Sequence, residues 1–304
     1  MAITLISQIM LLLSFICVFI MINKLRKQPR VVVSFLDYAK LSVTGFTSFI
    51  ADTLGIGSFA VNIALSKLFN TFPDEELPAV NNGAQVIPGA IESLFFMKLV
   101  DVDLNTLLTL VVGTCIGGLI GGAVVTHLSK QAIRLAMMCC FTLIIALLLG
   151  HQFHLMPEGG DVSVLQGWKL GVGFFAMIVC GALTSVGIGL FVMVQGVLFL
   201  LNVSPMVAFP IMTTAGAMQQ PLTTLVFLQQ NKIPLKKTLI ISLSGCVGVL
   251  LAISIFTHLT ITWLHLLLLG ILFYNLIAIS RTYFQNRSNR NNVSPSKIVE
   301  VHHG

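Results

Sequence analysis

Asp52 and Glu92 are carboxylates set inside long apolar stretches of the chain. An ionisable side chain in hydrocarbon is expensive, and where it persists it carries a proton or partners a buried dipole. After Asp52 the chain reads Thr53-Leu54-Gly55-Ile56-Gly57-Ser58-Phe59, and 132 positions later it reads Thr184-Ser185-Val186-Gly187-Ile188-Gly189-Leu190-Phe191. A helix that begins just after such a glycine pair offers unpaired backbone N–H groups and the positive end of its dipole, and glycine lets an anion come close to those amides. Two such ends facing each other inside a membrane make an anion site, although paired glycines also serve simply to bring helices together. Beside such a site an ionised carboxylate is repulsive, so protonation of Asp52 or Glu92 gives a physical route to coupled binding; the plainer role for Asp52 is to cap a half-helix.

Asn81, Gln85, Pro88 and Glu92 follow one another at spacings of four, three and four, a polar line along one face of an otherwise apolar helix. Thr213, Gln220 and Thr224 occupy the equivalent face 132 positions on, where Thr184 and Thr224 replace Asp52 and Glu92. Polar lines buried in lipid turn toward a cavity or another helix, so these either line a substrate path or bond helix to helix. The chain shows no phosphate-binding loop, nucleophile elbow or dinucleotide fingerprint, so no catalytic residue and no cofactor is expected. His151, His154, Glu158 and Asp161 form only a loose cluster without zinc-type spacing, and no metal site is expected there.

The elements that hold these residues are helices in a bilayer. Of 304 residues 56% are apolar and only 9% charged, against roughly a quarter charged in soluble domains. Runs such as Ile3 to Asn23, Leu104 to His127 and Trp263 to Ser280 with its flanks approach or exceed the ~20 residues that span hydrocarbon. The first run lacks a basic region before it and reads as a retained helix rather than a signal peptide. All six cysteines lie in apolar stretches, which argues against a disulfide framework.

The register of 132 holds beyond the glycines, pairing Asn70 with Asn202, Pro73 with Pro205, Pro78 with Pro210 and Gly113 with Gly245. The expected fold is therefore an all-α polytopic membrane protein of two homologous halves, each with a glycine-broken helix pair and three spanning helices, preceded by one extra helix. The parts are 1–30, an N-terminal helix and basic loop; 31–150, the first repeat; 151–165, a connecting loop; 166–281, the second repeat; and 282–304, a polar tail expected to be disordered and cytoplasmic. The segment 166–203 would be roughly 55 Å long as one helix, so it must bend. If each broken pair enters and leaves on one side the repeats are inverted; if it crosses once they are parallel. The net charge of +6 comes mostly from Lys24 to Arg30, Lys232 to Lys237 and the tail. The inverted arrangement puts these inside together with Lys130 and Arg134, which favours it. Without interleaved aromatics these clusters read as topology signals, not as a nucleic-acid surface.

The segments Asp52 to Ala60, Leu77-Pro78-Ala79-Val80-Asn81-Asn82-Gly83 and Ala208-Phe209-Pro210-Ile211-Met212-Thr213-Thr214 resemble the TauE/SafE family of sulfite exporters and organosulfur-anion permeases, over about Phe35 to Arg281. That resemblance implies a cytoplasmic-membrane carrier for small sulfur-containing anions or related organic acids, driven by a proton or sodium gradient. Gly55, Gly57, Gly187, Gly189, Asn81, Asn82, Thr213 and Thr214 fall on the family's motifs, and with Ser58, Gln85 and Gln220 they are the candidate substrate contacts. Many members carry a third glycine where this chain has Ser58 and Leu190, and a Thr-Ser pair where it has Asn81-Asn82 and Thr213-Thr214. Those departures touch substrate choice rather than fold. The other classes open to the sequence are an anion channel and a non-transporting assembly or sensor subunit.

Overall fold

The computed structural model describes residues 2–28, 32–100, 102–153, 155, 160–187, 189–255, 273–274 and 276–285. Within them the chain is helical, in the order α1 (Ala2–Lys27), α2 (Phe35–Thr53), α3 (Ser58–Phe69), α4 (Leu77–Leu99), α5 (Leu104–His127), α6 (Lys130–Gln152), α7 (Gly167–Thr184), α8 (Leu190–Leu200), α9 (Pro205–Gln229) and α10 (Leu235–Ile255). The expected last span near 262–280 and the tail from 286 lie wholly or largely outside the described residues, as do His154 and Glu158. Among the described residues five helices, in α1, α5, α6, α7 and α10, are long and apolar enough to cross a bilayer. Rows of exposed Leu, Ile and Phe such as Leu5, Leu12, Phe15 and Phe19 on α1 suit a lipid surface. The protein is a membrane-embedded helical bundle.

Both glycine-marked segments are broken. Between α2 and α3, Gly55 and Gly57 take φ of 90° and 93°, and between α7 and α8 Gly187 takes 104°, values that a side chain disfavours. The short helices α3 and α8, of 12 and 11 residues, span roughly 17 Å and stop well short of a bilayer's width. Each is followed by an asparagine in the left-handed region, Asn70 at φ 53° and Asn202 at 63°. Asparagine tolerates that conformation better than most residues.

Glycines set the closest packings. On α5, Gly113, Gly117 and Gly121 lie against Phe174, Ile178 and Ala182 of α7, and a Cβ on Gly117 would fall 1.9 Å from the Ile178 carbonyl oxygen. One residue further on, Gly118 and Gly122 form a second face against Gln219 and Thr223 of α9. Spacing by four places each set on its own stripe, so one helix approaches two neighbours without side chains between them. Helix α2 packs on α10 in the same manner, Gly45 against Ile241 and Phe49 against Gly245. In both pairs residue number rises together, so α5 runs parallel to α7 and α2 parallel to α10. Helix α4 meets α9 antiparallel, with Ser93 beside Thr214 and Gly83 beside Thr224.

Side-chain contacts define two ends. At one, Lys24 reaches the Leu228 carbonyl and Asn231. There too Lys237 donates to the Thr71 carbonyl at 3.0 Å and lies over the Phe72 ring. Asp74 pairs with Lys67 and with Arg134 at 2.6 Å, and Glu75 pairs with Lys130. At the other end Leu165 donates its N–H to Thr106 at 3.0 Å, and Val162 forms an isolated bridge with Val203. The 24 residues of α5, roughly 36 Å, separate the two. Thus α2 leaves the basic end and α3 returns to it, whereas α7 leaves the far end and α8 returns to that.

Candidate functional site

The two breaks come together in the interior. A small cavity of about 10 Å³, room for roughly one water-sized group, is lined from α2 by Asp52 and from the start of α3 by Ser58 and Phe59. Helix α4 contributes Gln85 and Glu92, the start of α8 Gly189, Leu190 and Phe191, and α9 Met212, Thr213, Gly216 and Gln220. Gly189 approaches Phe59, a Cβ there falling 3.8 Å from the Phe59 Cβ, so the two half-helix starts are neighbours.

Asp52 is held firmly. One carboxylate oxygen accepts the Ser58 N–H at 2.6 Å and the other accepts from the Gln85 amide, while the Ser58 hydroxyl donates to Gln85 Oε1 at 2.6 Å. Gly57, the residue before α3, has no side chain to cap it, and Asp52 reaches across the break to serve that orphan donor. The capping role therefore exists, and it has a consequence: the positive end of α3 already faces a resident carboxylate. Among the described residues nothing equivalent guards α8, where Thr184 stands in the place of Asp52, spends its hydroxyl on the Cys180 carbonyl at 2.8 Å, and leaves the helix start without a side-chain cap. The two ends are chemically unequal, one neutralised and one free.

Glu92 lies 1% exposed beside Asp52 and Thr53, and its Oε1 has no hydrogen-bond partner. Gln220, 3% exposed on the facing helix, likewise leaves Oε1 unpartnered. Buried acceptors without donors are uncommon because each forfeits its hydration. No Lys, Arg or His lines the cavity among the described residues. Its chemistry is thus acceptor-rich on the α2–α4 side and donor-bearing at the α8 start.

Of the sequence candidates, Asp52, Ser58, Gln85, Glu92, Gly189, Thr213 and Gln220 gather here. The others sit around it. Asn81 accepts from Asn62 and keeps its own amide nitrogen unpartnered, Asn82 donates to the Pro78 and Thr184 carbonyls at 2.8 and 3.4 Å, and Thr214 bonds Ser93 at 3.1 Å across the α4–α9 contact. Gly187 backs onto Pro78 and Asn81, Gly55 onto Phe209, and a Cβ on Gly57 would meet nothing within 4 Å. Thr213 returns its hydroxyl to the Phe209 carbonyl at 3.0 Å, keeping its lone pairs for the cavity. Asn62 was missed, yet Ser58, Asn62 and Ser66 recur every four residues on α3 and are all buried, a stripe of the same kind as that on α4. Gln219, bonded to Thr223 at 2.5 Å against the α5 glycines, is a helix-packing amide that one position separates from Gln220. Among the described residues no group of three or more His, Cys, Asp or Glu side chains is placed to hold a metal.

No protein-family model, curated protein or solved structure matches this chain.

Proposed function

We propose that the chain is a secondary transporter for a small anion, bound between the two broken helix pairs and released to either side in turn. The observation that carries this reading is the cavity itself, where two half-helix starts, entering from opposite ends of the bundle, share one buried polar space. The anion docks at the uncapped start of α8, on the amides beyond Gly187 and Gly189, with Thr213 within reach. Ser58 and Gln85, joined to Asp52, set the opposite wall.

The halves are best read as inverted repeats. Asn70 and Asn202 are equivalent in the register of 132, yet Asn70 adjoins Thr71 at the basic end and Asn202 adjoins Val203 at the far one. The helix pairings agree, since α2 on α10 becomes α7 on α5 when each number is shifted by the repeat. Lys24, Lys130, Arg134, Lys232 and Lys237 then share one end, which the positive-inside rule puts in the cytoplasm together with the tail. Resemblance to TauE/SafE carriers supports sulfite or an organosulfur anion as cargo and the cytoplasmic membrane as location.

The test is uptake of radiolabelled sulfite, thiosulfate and sulfoacetate into proteoliposomes under an imposed pH or sodium gradient. Saturable, gradient-dependent flux lost in Gly189→Leu is expected. A conductance without saturation would make it a channel, and a stoichiometric partner with no flux would make it an assembly subunit.

A further inference from the structure

We propose that Asp52, Glu92, Gln85 and Gln220 form a binding site for one sodium ion, which accompanies the anion. The inference rests on the carrier reading for the anion but not for the ion itself. Its first support is the pair of buried acceptors, Glu92 Oε1 and Gln220 Oε1, that border the cavity with no donor. An anion cannot satisfy them and a cation can. Second, two carboxyls share the space with no basic side chain among the described residues lining it. Asp52 already receives two hydrogen bonds and the α3 dipole, so its charge is compensated locally. Glu92 lies in hydrogen-bond reach of Asp52 and Thr53 but meets no cation, so two ionised carboxyls side by side leave a buried charge unbalanced. One positive charge balances the account, which favours a monovalent over a divalent ion.

Third, the donor set is oxygen only, two carboxylates and two amide carbonyls, the set preferred by small hard cations. It lies at the C-terminal end of α2, where half-helix carbonyls add partial negative charge. Helices α3, α8 and α9 bring no titratable side chain to the cavity among the described residues, so nothing else there supplies the charge. The same cavity includes Gly189 and Leu190 at the α8 start, so a bound cation screens the carboxylates from an anion arriving there. Each ion then raises the other's affinity, and the pair moves together.

The test is equilibrium binding of ²²Na⁺ to the purified full-length protein in detergent at fixed pH with no anion present. Saturable binding resisted by choline is expected, weakened about tenfold or more in Glu92→Gln and in Gln220→Leu, a change of roughly 1.4 kcal/mol. Melting temperature without sodium identifies a variant that has failed to fold, and the wild-type measurement stands independently of either variant. The proposal is overturned if folded wild type binds no sodium saturably, if both variants bind it as wild type does, or if acidification stabilises the protein while sodium has no effect. Sodium binding without anion flux would keep this site and sink the carrier reading. Sodium-independent flux with no sodium binding would do the reverse.

Discussion

Two glycines of one motif are there for different reasons. Gly187 sits at φ 104° with Pro78 behind it, where an added Cβ would come 3.4 Å from the Pro78 Cα, so Gly187→Ala is strained by backbone and neighbour together. A loss of about 1–2 kcal/mol is expected, read as a lower melting temperature in detergent. Gly189 has φ −58°, open to any residue, and the nearest atom to an added Cβ is 3.8 Å away. Gly189→Ala is therefore expected to melt like wild type while anion flux falls, because the methyl group would stand between the proposed anion and the α8 amides. Equal destabilisation of both would make the pair structural. At Asp52, Asn should retain most of the folding stability, whereas Ala leaves the Ser58 N–H and the Gln85 amide unpaired and costs about 1–3 kcal/mol. An Asp52→Asn protein whose transport keeps the wild-type rate and the wild-type response to pH and sodium would remove this residue from coupling. The carboxylates and glutamines stand out in the sequence because each is an improbable residue in hydrocarbon, and the glycines because they recur in register. The distinction between Gly187 and Gly189 was not, since a one-letter repeat does not encode φ.

The helices themselves declared their breaks by length, as 166–203 was too long to be one span and did divide at 185–189. Boundaries were less legible. Pro78 and Pro210 are equivalent in the register, yet Pro78 opens α4 while Pro210 lies inside α9, which begins at Pro205 instead. Proline is tolerated in a first turn because its missing N–H would be unpaired there anyway, and two candidate prolines leave the start ambiguous from sequence. The glycine faces of α5 were visible only as a glycine-rich run, because the partner of each face comes from elsewhere in the chain. They make a sharp prediction. Gly117→Leu must push α5 off α7, since even a Cβ would overlap the Ile178 carbonyl, and it should abolish a cooperative melting transition or lower it by many degrees. Gly171→Leu on α7, where an added Cβ has open space, is the matched control and should leave the melt unchanged.

At the scale of the whole molecule, the two ends are fastened by different means, a difference that suits the alternating opening proposed above. The far end is held by uncharged hydrogen bonds, the Val162–Val203 bridge and the Leu165 N–H to the Thr106 hydroxyl. The basic end is held by charge, with Asp74, 3% exposed, between Lys67 and Arg134. Burial alone would raise the Glu75 carboxyl, but the bonded Lys130 and nearby Arg134 hold it below its ordinary value; Glu76, buried further from a bonded cation, is pushed up. A depressed carboxyl contributes stability above its unfolded pKa and loses it as pH falls through the folded one, so the Glu75–Lys130 tie weakens only under acid well below neutrality. Charge favours the inverted arrangement from sequence, whereas the fastenings were not legible there, because an ion pair 60 residues apart such as Asp74–Arg134 leaves no local pattern. The arrangement is decided by single cysteines at 129, 161 and 232, placed in a background lacking the six native thiols and labelled in oriented vesicles with an impermeant maleimide. Inverted repeats require Ser129→Cys and Lys232→Cys to react from one side and Asp161→Cys from the other. Parallel repeats separate 129 from 232, and that result would dismantle both the shared basic end and the site built between opposed half-helices.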